Sequence, residues 1–478
     1  MIHANLIAGE WQASADAMRN INPSDTHDLI GEYGRGTAGE VKSAIAAARQ
    51  ALPAWARSSP QQRADILDHI GAEILARRTE LADLLSREEG KTLPEATGEV
   101  TRAGHIFKYY AGEAVRLAGQ YLHSVRADVE VEVTREPVGI IGIITPWNYP
   151  IAIPSWKIAP ALAYGNCVVF KPAELVPGSA WALADIIARA GAPAGVFNLV
   201  MGRGSVVGES IVADRDVDAV SFTGSVATGR KILETVARRG ARIQLEMGGK
   251  NPLVVLADAD LDIAVRAALD GSYFSTGQRC TASSRLIVEQ SIHDRFVEAL
   301  SQALQRQVVD DARKAGTTIG PVVDAQQLKQ DLDYIQIGQA EGARLVTGGQ
   351  VLARATPGHY LAPALFTDSR ADQRINQEEI FGPVASVIRV ADYDEALSVA
   401  NGTPFGLCAG ICTTSLKYAR HFQRQSEAGM VMVNLPTAGV DYHVPFGGRK
   451  TSSYGPREQG QAAQEFYTIS KTSYIRSG

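Results

Sequence analysis

Three side chains far apart in the chain carry groups that could act on a carbonyl. Cys280 stands in STGQRCTASSR, residues 275–285, behind glycine, glutamine and arginine and ahead of small polar residues. Such a thiol could be a buried structural group, a metal ligand or a nucleophile. It attacks only as a thiolate, which needs cations, backbone donors or a helix N-terminus nearby, and Arg279 precedes it directly. Glu246, in LEMGGKNP, ends a predicted strand and is followed by Gly248 and Gly249. Its carboxylate could point into a cleft and activate water as a general base; a solvated or ion-paired glutamate is the alternative. Asn148, in TPWNYP, follows the run VGIIGII, at the carboxyl end of a predicted strand, where parallel sheets bind ligands. Its amide could donate to an oxyanion or close an Asx-turn.

Two glycine-rich loops are imperfect phosphate cradles. GRGSVVG (Gly202, Gly204, Gly208) has one residue too many before its third glycine, and GSVATGRK (Gly224 to Lys231) has Arg230 where a phosphate loop needs lysine. The remaining cysteines are Cys167, Cys408 and Cys412, with no histidine at ligand spacing, so no metal site is expected.

The elements that must position these groups follow from apolar periodicity. Val41, Ile45, Ala48, Leu52 and Trp55 mark one helix face; Ile66, Ile70, Ile74, Leu81 and Leu85 mark a second helical run. From residue 138 the pattern changes to buried strands, VGIIGIITP, CVVFKP, VFNLVMG, AVSFTGS and RIQLEMGG, separated by helices such as GSAWALADIIARAGAP, closed by Gly191, and GRKILETVARRG. This alternation predicts a doubly wound parallel sheet. A second α/β unit begins at NPLVVLADAD and includes a helix over 294–309, with Phe296, Val297, Leu300, Leu304 and Val308 on one face, and the strands RLIVE and ASVIRV. VEVEVTREPVG and EFYTISKTSYI alternate apolar and polar residues; they read as oligomerisation ribbons or as a local hairpin.

At 478 residues the chain is too long for a single ordinary core. A net charge of −5 with no long basic run argues against nucleic acid or an anionic membrane as partner. No apolar run reaches the ~18 residues of a membrane helix, and MIHANLIAGEW lacks signal-peptide features, so a cytoplasmic protein is expected.

TPWNYP, VVFKPAE, SFTGS, LEMGGKNP, GQRC, EEIFGPV and PFGG occur in this order across residues 145–448, and together they resemble the aldehyde dehydrogenase superfamily over essentially the whole chain. The resemblance implies a Rossmann-like NAD(P)-binding domain over 1–120 and 138–247, an α/β catalytic domain over 248–445, and small β oligomerisation segments over 121–137 and 461–478 that build a homodimer or homotetramer. It implies oxidation of an aldehyde to a carboxylate, with Cys280 as nucleophile, Asn148 and the Cys280 N–H as oxyanion donors, and Glu246 as base for thioester hydrolysis. It also implies cofactor contacts from Trp147, Lys157, Lys171, Glu174, Ser225, Glu379 and Phe381, and a proton relay through Glu458. A glutamate at 174 accepts from both ribose hydroxyls and repels a 2′-phosphate, which favours NAD, with NADP as the alternative.

By the same resemblance Tyr149, Trp156 and Phe446 line a substrate tunnel. Arg279 beside the nucleophile would suit a distal carboxylate, unless it faces a neighbouring loop; Ser283 and Ser284 add polarity. STGQRCTASSRLIV and YHVPFGGRKTSSYGPREQG are similar to 2-oxoglutarate semialdehyde (2,5-dioxopentanoate) dehydrogenases. Succinate semialdehyde and aromatic aldehydes are the alternative substrates. A CoA-acylating enzyme, which generally lacks the glutamate base, and a non-catalytic homologue are the alternative functions.

Overall fold

The structure, a computed structural model, describes residues 2–476. Residues 477 and 478 of the expected C-terminal oligomerisation segment lie outside the described residues.

The apolar runs beginning at residue 138 become five parallel strands, Ile140–Ile144, Cys167–Lys171, Phe197–Leu199, Ala219–Thr223 and Arg242–Glu246. Every residue of Ile140–Ile144 is buried, as expected for a strand covered on both faces. This first strand pairs with Cys167–Lys171 on one side and with Ala219–Thr223 on the other, so the strand order reverses at it. That reversal opens a crevice beyond the carboxyl ends of the strands, the place where doubly wound sheets bind ligands.

Helices fall where the periodicity places them, with three departures. The helix Ala38–Ala56 starts at a capping box made by Thr37 and Glu40. The second helical run is two helices, Pro60–Ala76 and Arg78–Glu89, because Arg77 leaves helical geometry (φ −93°, ψ 15°). Gly90 then ends the second of these in a left-handed conformation, φ +94°. The helix expected over 294–309 spans Gln290–Gln305, so Val308 lies beyond it and is exposed. The segment before residue 35, for which no strand was expected, is β-structured: Asn5–Ile7 and Glu10–Gln12 extend the first sheet.

A second sheet holds seven strands in the order Arg344–Thr347, Ala364–Ser369, Val384–Val390, Arg285–Glu289, Pro252–Val255, Cys408–Cys412 and Met430–Val433. All its neighbours run parallel except the first pair. The two alternating ribbons are each other's partners. Thr468–Arg476 pairs antiparallel with Val129–Pro137 from Thr468↔Pro137 to Arg476↔Val129, and Gln120–His123 covers the other side of Val129–Pro137. Residues 465–467 of EFYTISKTSYI and the preceding Gln464 form a short helix instead of a strand, because Phe466 and Tyr467 turn into the core of the first sheet.

Candidate active site

Asn148 follows the strand Ile140–Ile144 and lies in the crevice at the reversal point. Its side chain is buried, and its Nδ2 donates to the carbonyl of Gln278 at 3.0 Å, two residues before Cys280. An amide carries two N–H donors, so one such bond leaves a donor over. The cysteine loop is held from several sides. Asn251 Nδ2 donates to the carbonyls of Cys280 (2.8 Å) and Ala282 (2.9 Å), and the Cys408 N–H donates to Asn251 Oδ1 at 2.9 Å.

Upstream, Ser275, Thr276 and Gly277 lie successively in the left-handed region, with φ of 50°, 57° and 68°. Strain of this kind persists only where surrounding contacts over-determine it, and it clusters at functional sites. Here the Ser275 N–H donates to Glu95 Oε1 at 2.7 Å, and a Cβ on Gly277 would lie 2.3 Å from the Gly382 carbonyl oxygen, so only glycine fits.

Two cavities meet at Cys280. One, about 240 Å³, is walled by Trp147, Asn148, Gly224, Ser225, Glu379 and Phe381 among others. The other, about 260 Å³, is walled by Tyr149, Trp156, Phe274, Arg279 and Phe446 among others. Cys280 and Ile153 line both. A sulfur placed between two chambers can face a different reactant on each side.

The first chamber has features that suit a phosphate-bearing ligand. Ser225 is the N-cap of the helix Val226–Arg238, accepting from the Thr228 N–H at 3.3 Å, so the free N–H groups of that helix start at the cavity wall and suit a phosphate. The rings of Trp147 and Phe381 meet edge to face at 5.3 Å. Glu379 Oε1 accepts from the Gly249 N–H at 2.9 Å, and a Cβ on Gly248 would strike the Glu379 carboxylate at 2.0 Å. Burial raises the Glu379 carboxyl to about 7, opposed by the Gly249 N–H and the Lys250 charge.

Glu246 ends the strand Arg242–Glu246 and is buried. Ser453 Oγ donates to its Oε2 at 2.5 Å. Burial first, then the neighbouring Glu458 charge, push its carboxyl well above the usual range, against the pull of Ser453, Lys157 and Arg457. Glu458 is itself buried, accepting from Lys157 Nζ at its Oε1 and from Trp156 Nε1 at its Oε2, 2.7 Å. Burial also pushes the Cys280 thiol up to about 12, helped by Glu379 and Glu246 and opposed by Arg279.

The Aldehyde dehydrogenase family model matches residues 11–473. The chain belongs to the aldehyde dehydrogenase family. It is 43% identical to the alpha-ketoglutaric semialdehyde dehydrogenase of Bacillus subtilis (strain 168), over 99% of this chain and 98% of that one. Among solved structures it matches the betaine aldehyde dehydrogenase of Staphylococcus aureus in complex with NAD+ (TM-score 0.97, 34% identity, 99% of this chain and 95% of that one). An NADP-dependent enzyme of E. coli matches with a TM-score of 0.96 and 36% identity, over 99% of this chain and 98% of that one. The protein is an NAD(P)-dependent aldehyde dehydrogenase, with NAD as cofactor and NADP as an alternative.

Within this aldehyde dehydrogenase the expected cofactor contacts divide. Trp147, Ser225, Glu379 and Phe381 line the first chamber. Glu174 lies beyond the strand Cys167–Lys171, its Oε1 accepting from the Gly204 N–H at 3.2 Å, and Lys171 Nζ donates to the Pro172 carbonyl at 2.7 Å; neither lines the chamber. Lys157 departs from expectation: it is fully buried, spent on Ser221 (2.9 Å) and Glu458, and reaches neither cavity.

The second chamber holds Tyr149, Trp156, Arg279 and Phe446, with the Trp156 and Phe446 rings 5.5 Å apart. Arg279 also faces a neighbouring segment, donating to the carbonyls of Asp270 (2.6 Å) and Gly271 (2.9 Å) while lining the cavity. Ser283 and Ser284 do not line it; Ser283 Oγ is paired with Thr437 Oγ1 at 2.5 Å. Lys91, Glu99 and Arg102 join the site without a motif to announce them, since they come from a region remote in sequence from the cysteine loop, whereas Phe274 and Ser453 sit beside or within quoted stretches without having been singled out.

Proposed function

We propose that this enzyme oxidises 2-oxoglutarate semialdehyde to 2-oxoglutarate through a covalent adduct on Cys280. The observation that carries this reading is the position of Cys280 between a dinucleotide-shaped chamber and an aromatic chamber containing Arg279. The name of the Bacillus subtilis relative agrees with the substrate.

The thiolate of Cys280 attacks the aldehyde carbon, and the carbonyl π electrons move to oxygen. Asn148 Nδ2 and the Cys280 main-chain N–H donate to that oxyanion and hold the thiohemiacetal. NAD(P), held by Trp147, Ser225, Glu379 and Phe381, would supply the hydride acceptor that takes the Cys280 adduct to the thioester. Glu246 then takes a proton from water as the water oxygen bonds to the thioester carbon, and the Cys280 sulfur leaves with its electron pair. Burial, and then the Glu458 charge, raise the Glu246 carboxyl well above the usual range, so its affinity for the proton taken from water is increased. The Trp156–Glu458–Lys157 chain lies behind it and offers the proton a way on. Lys171 and Glu174 would hold the adenine-side ribose. Thiol activation needs a further charge change, because the resting thiol sits near 12.

The domain division expected above, 1–120 with 138–247, 248–445, and 121–137 with 461–478, is proposed here with the two sheets and the outlying ribbon sheet in its support. The ribbon sheet carries exposed Tyr121, Leu122, Ile469, Tyr474 and Ile475, which favours a homo-oligomer assembled through it. Because Cys280 must remain a thiol, a cytoplasmic setting suits the enzyme. Neither nucleic acid nor membrane is proposed as a partner.

The test is an aldehyde panel with NAD and with NADP, followed by NAD(P)H absorbance and compared by kcat/KM. 2-Oxoglutarate semialdehyde is expected to lead, with free acid released in the absence of CoA. No turnover of any aldehyde would remove the enzymatic reading; a CoA requirement would move the chain to the acylating class.

A further inference from the structure

The wall of the substrate chamber contains a second arginine. Arg102 lies on the helix Leu93–Ala114, far in sequence from the cysteine loop, yet it lines the same cavity as Arg279 and Cys280. Among the described residues, neither guanidinium forms an ion pair. Two glutamates share the cavity wall, but both are spent. Glu99 pairs with Lys91 (3.1 Å) and accepts from the N–H groups of Ile151 (3.0 Å) and Ala152 (3.1 Å). Glu95 accepts from Thr92 at 2.9 Å and from the Ser275 N–H at 2.7 Å. Asp441 and Glu99 act on Arg102, and Asp270 on Arg279, only from beyond ion-pair distance.

Each guanidinium is oriented but not saturated. Arg102 donates to the Val440 carbonyl and to Gln459 Oε1 (2.9 Å), and it lies 5.8 Å from the Trp156 ring centre. Arg279 donates to two carbonyls and lies 4.8 Å from the Phe274 ring centre. Both keep a buried Nε with no partner. A guanidinium stacked on an aromatic face presents its donors in its own plane, the geometry that reads a carboxylate. Two guanidiniums on one cavity wall, neither in direct ion contact with a carboxylate, are best completed by an anion in the cavity.

We infer that Arg102 and Arg279 act as a pair that reads the 2-oxo-carboxylate end of the aldehyde. A 2-oxo acid offers a carboxylate and an adjacent ketone oxygen, enough acceptors for two arginines arriving from separate elements. This rests on the reading that the chamber takes the aldehyde, and it names Arg102 as a specificity residue beside Arg279.

The experiment compares 2-oxoglutarate semialdehyde with pentanal in the unaltered enzyme, Arg102→Gln, Arg102→Lys and Arg279→Gln. The quantity read is the ratio of kcat/KM for the two aldehydes. It is expected to fall about 10- to 100-fold in each glutamine variant, the size of one lost charge-assisted hydrogen bond, through KM more than kcat, with partial rescue in Arg102→Lys. A ratio unchanged in Arg102→Gln overturns the inference, because a merely structural arginine would lower both substrates together. If the unaltered protein oxidises no aldehyde, the proposed function fails separately, and equilibrium binding of 2-oxoglutarate decides the pair: binding lost in Arg102→Gln supports it, equal binding overturns it. Should Arg102→Gln not fold, inhibition of the unaltered enzyme decides. Competition by 2-oxoglutarate but not by 1-pentanol supports the pair, and equal inhibition by both overturns it.

Discussion

Lys91 Nζ donates to the main-chain carbonyl of Asn148, so a fully buried cation holds the turn that carries the amide proposed as oxyanion donor. The same Nζ lies 3.3 Å from Glu89 and 3.1 Å from Glu99, and 4.0 Å from the Tyr149 ring centre. Glu99 in turn accepts from the first N–H groups of the helix that follows Asn148. One charge cluster therefore fixes both ends of the segment from Asn148 to Ala152.

Lys91→Met leaves two buried carboxylates without their cation. Breaking a buried pair this way costs about 3–5 kcal/mol. The expected outcome is a stability loss of that order by denaturant unfolding, with a lower kcat in the folded fraction. Unchanged stability and kcat would show that Lys91 does not hold the turn.

Cys280→Ala removes the sulfur shared by the two chambers. NAD(P)H formation is expected to vanish for every aldehyde, while the unfolding midpoint changes little, because the sulfur borders two chambers instead of filling a packed core. Retained turnover would assign the covalent step elsewhere.

Glu246→Gln is nearly isosteric and keeps the bond from Ser453. A fast burst of NAD(P)H followed by steady turnover slowed about 10²-fold or more is expected, since a positioned general base contributes 10²–10⁴. Stopped-flow absorbance separates the phases, and normal steady turnover would take the base role from Glu246.

The resting Cys280 thiol is held near 12. Below that value the thiolate fraction rises about tenfold per pH unit. Alkylation of the cofactor-free enzyme by iodoacetamide is therefore expected to keep accelerating from pH 7 through pH 10. A plateau below pH 9 would contradict the burial effect.

Glu174→Gln removes the carboxylate expected to repel a 2′-phosphate. The NADP-to-NAD ratio of kcat/KM is expected to rise about tenfold, as one screened like-charge contact allows. An unchanged ratio would place the discrimination on other residues.

The strands that lead to Asn148, Ser225 and Glu246 were legible in the sequence because burial on both faces writes a continuous apolar run, and such runs alternate with helices. Position at a strand's carboxyl end followed from that pattern alone. The Lys157–Glu458 contact was not legible, because neither residue's type nor its local spacing reveals a partner so far along the chain. Val308 was misplaced because apolar periodicity continues past Gln305, where the helix hydrogen bonding stops. The ribbon at 129–139 read as β-structured, but its partner came from residues 468–476 of the same chain.

What the sequence by itself determined was the chemical inventory, a thiol, a carboxylate and an amide on the ends of predicted elements, and the doubly wound class that carries them. Tertiary structure alone decided that Cys280 lies between two chambers, that Lys91 reaches the Asn148 carbonyl, and that Arg102 and Arg279 share one wall. The reason is range. Periodicity records which face of an element is buried, a property of neighbours a few residues apart. Contacts across tens to hundreds of residues depend on strand order, register and helix packing, which no local pattern encodes.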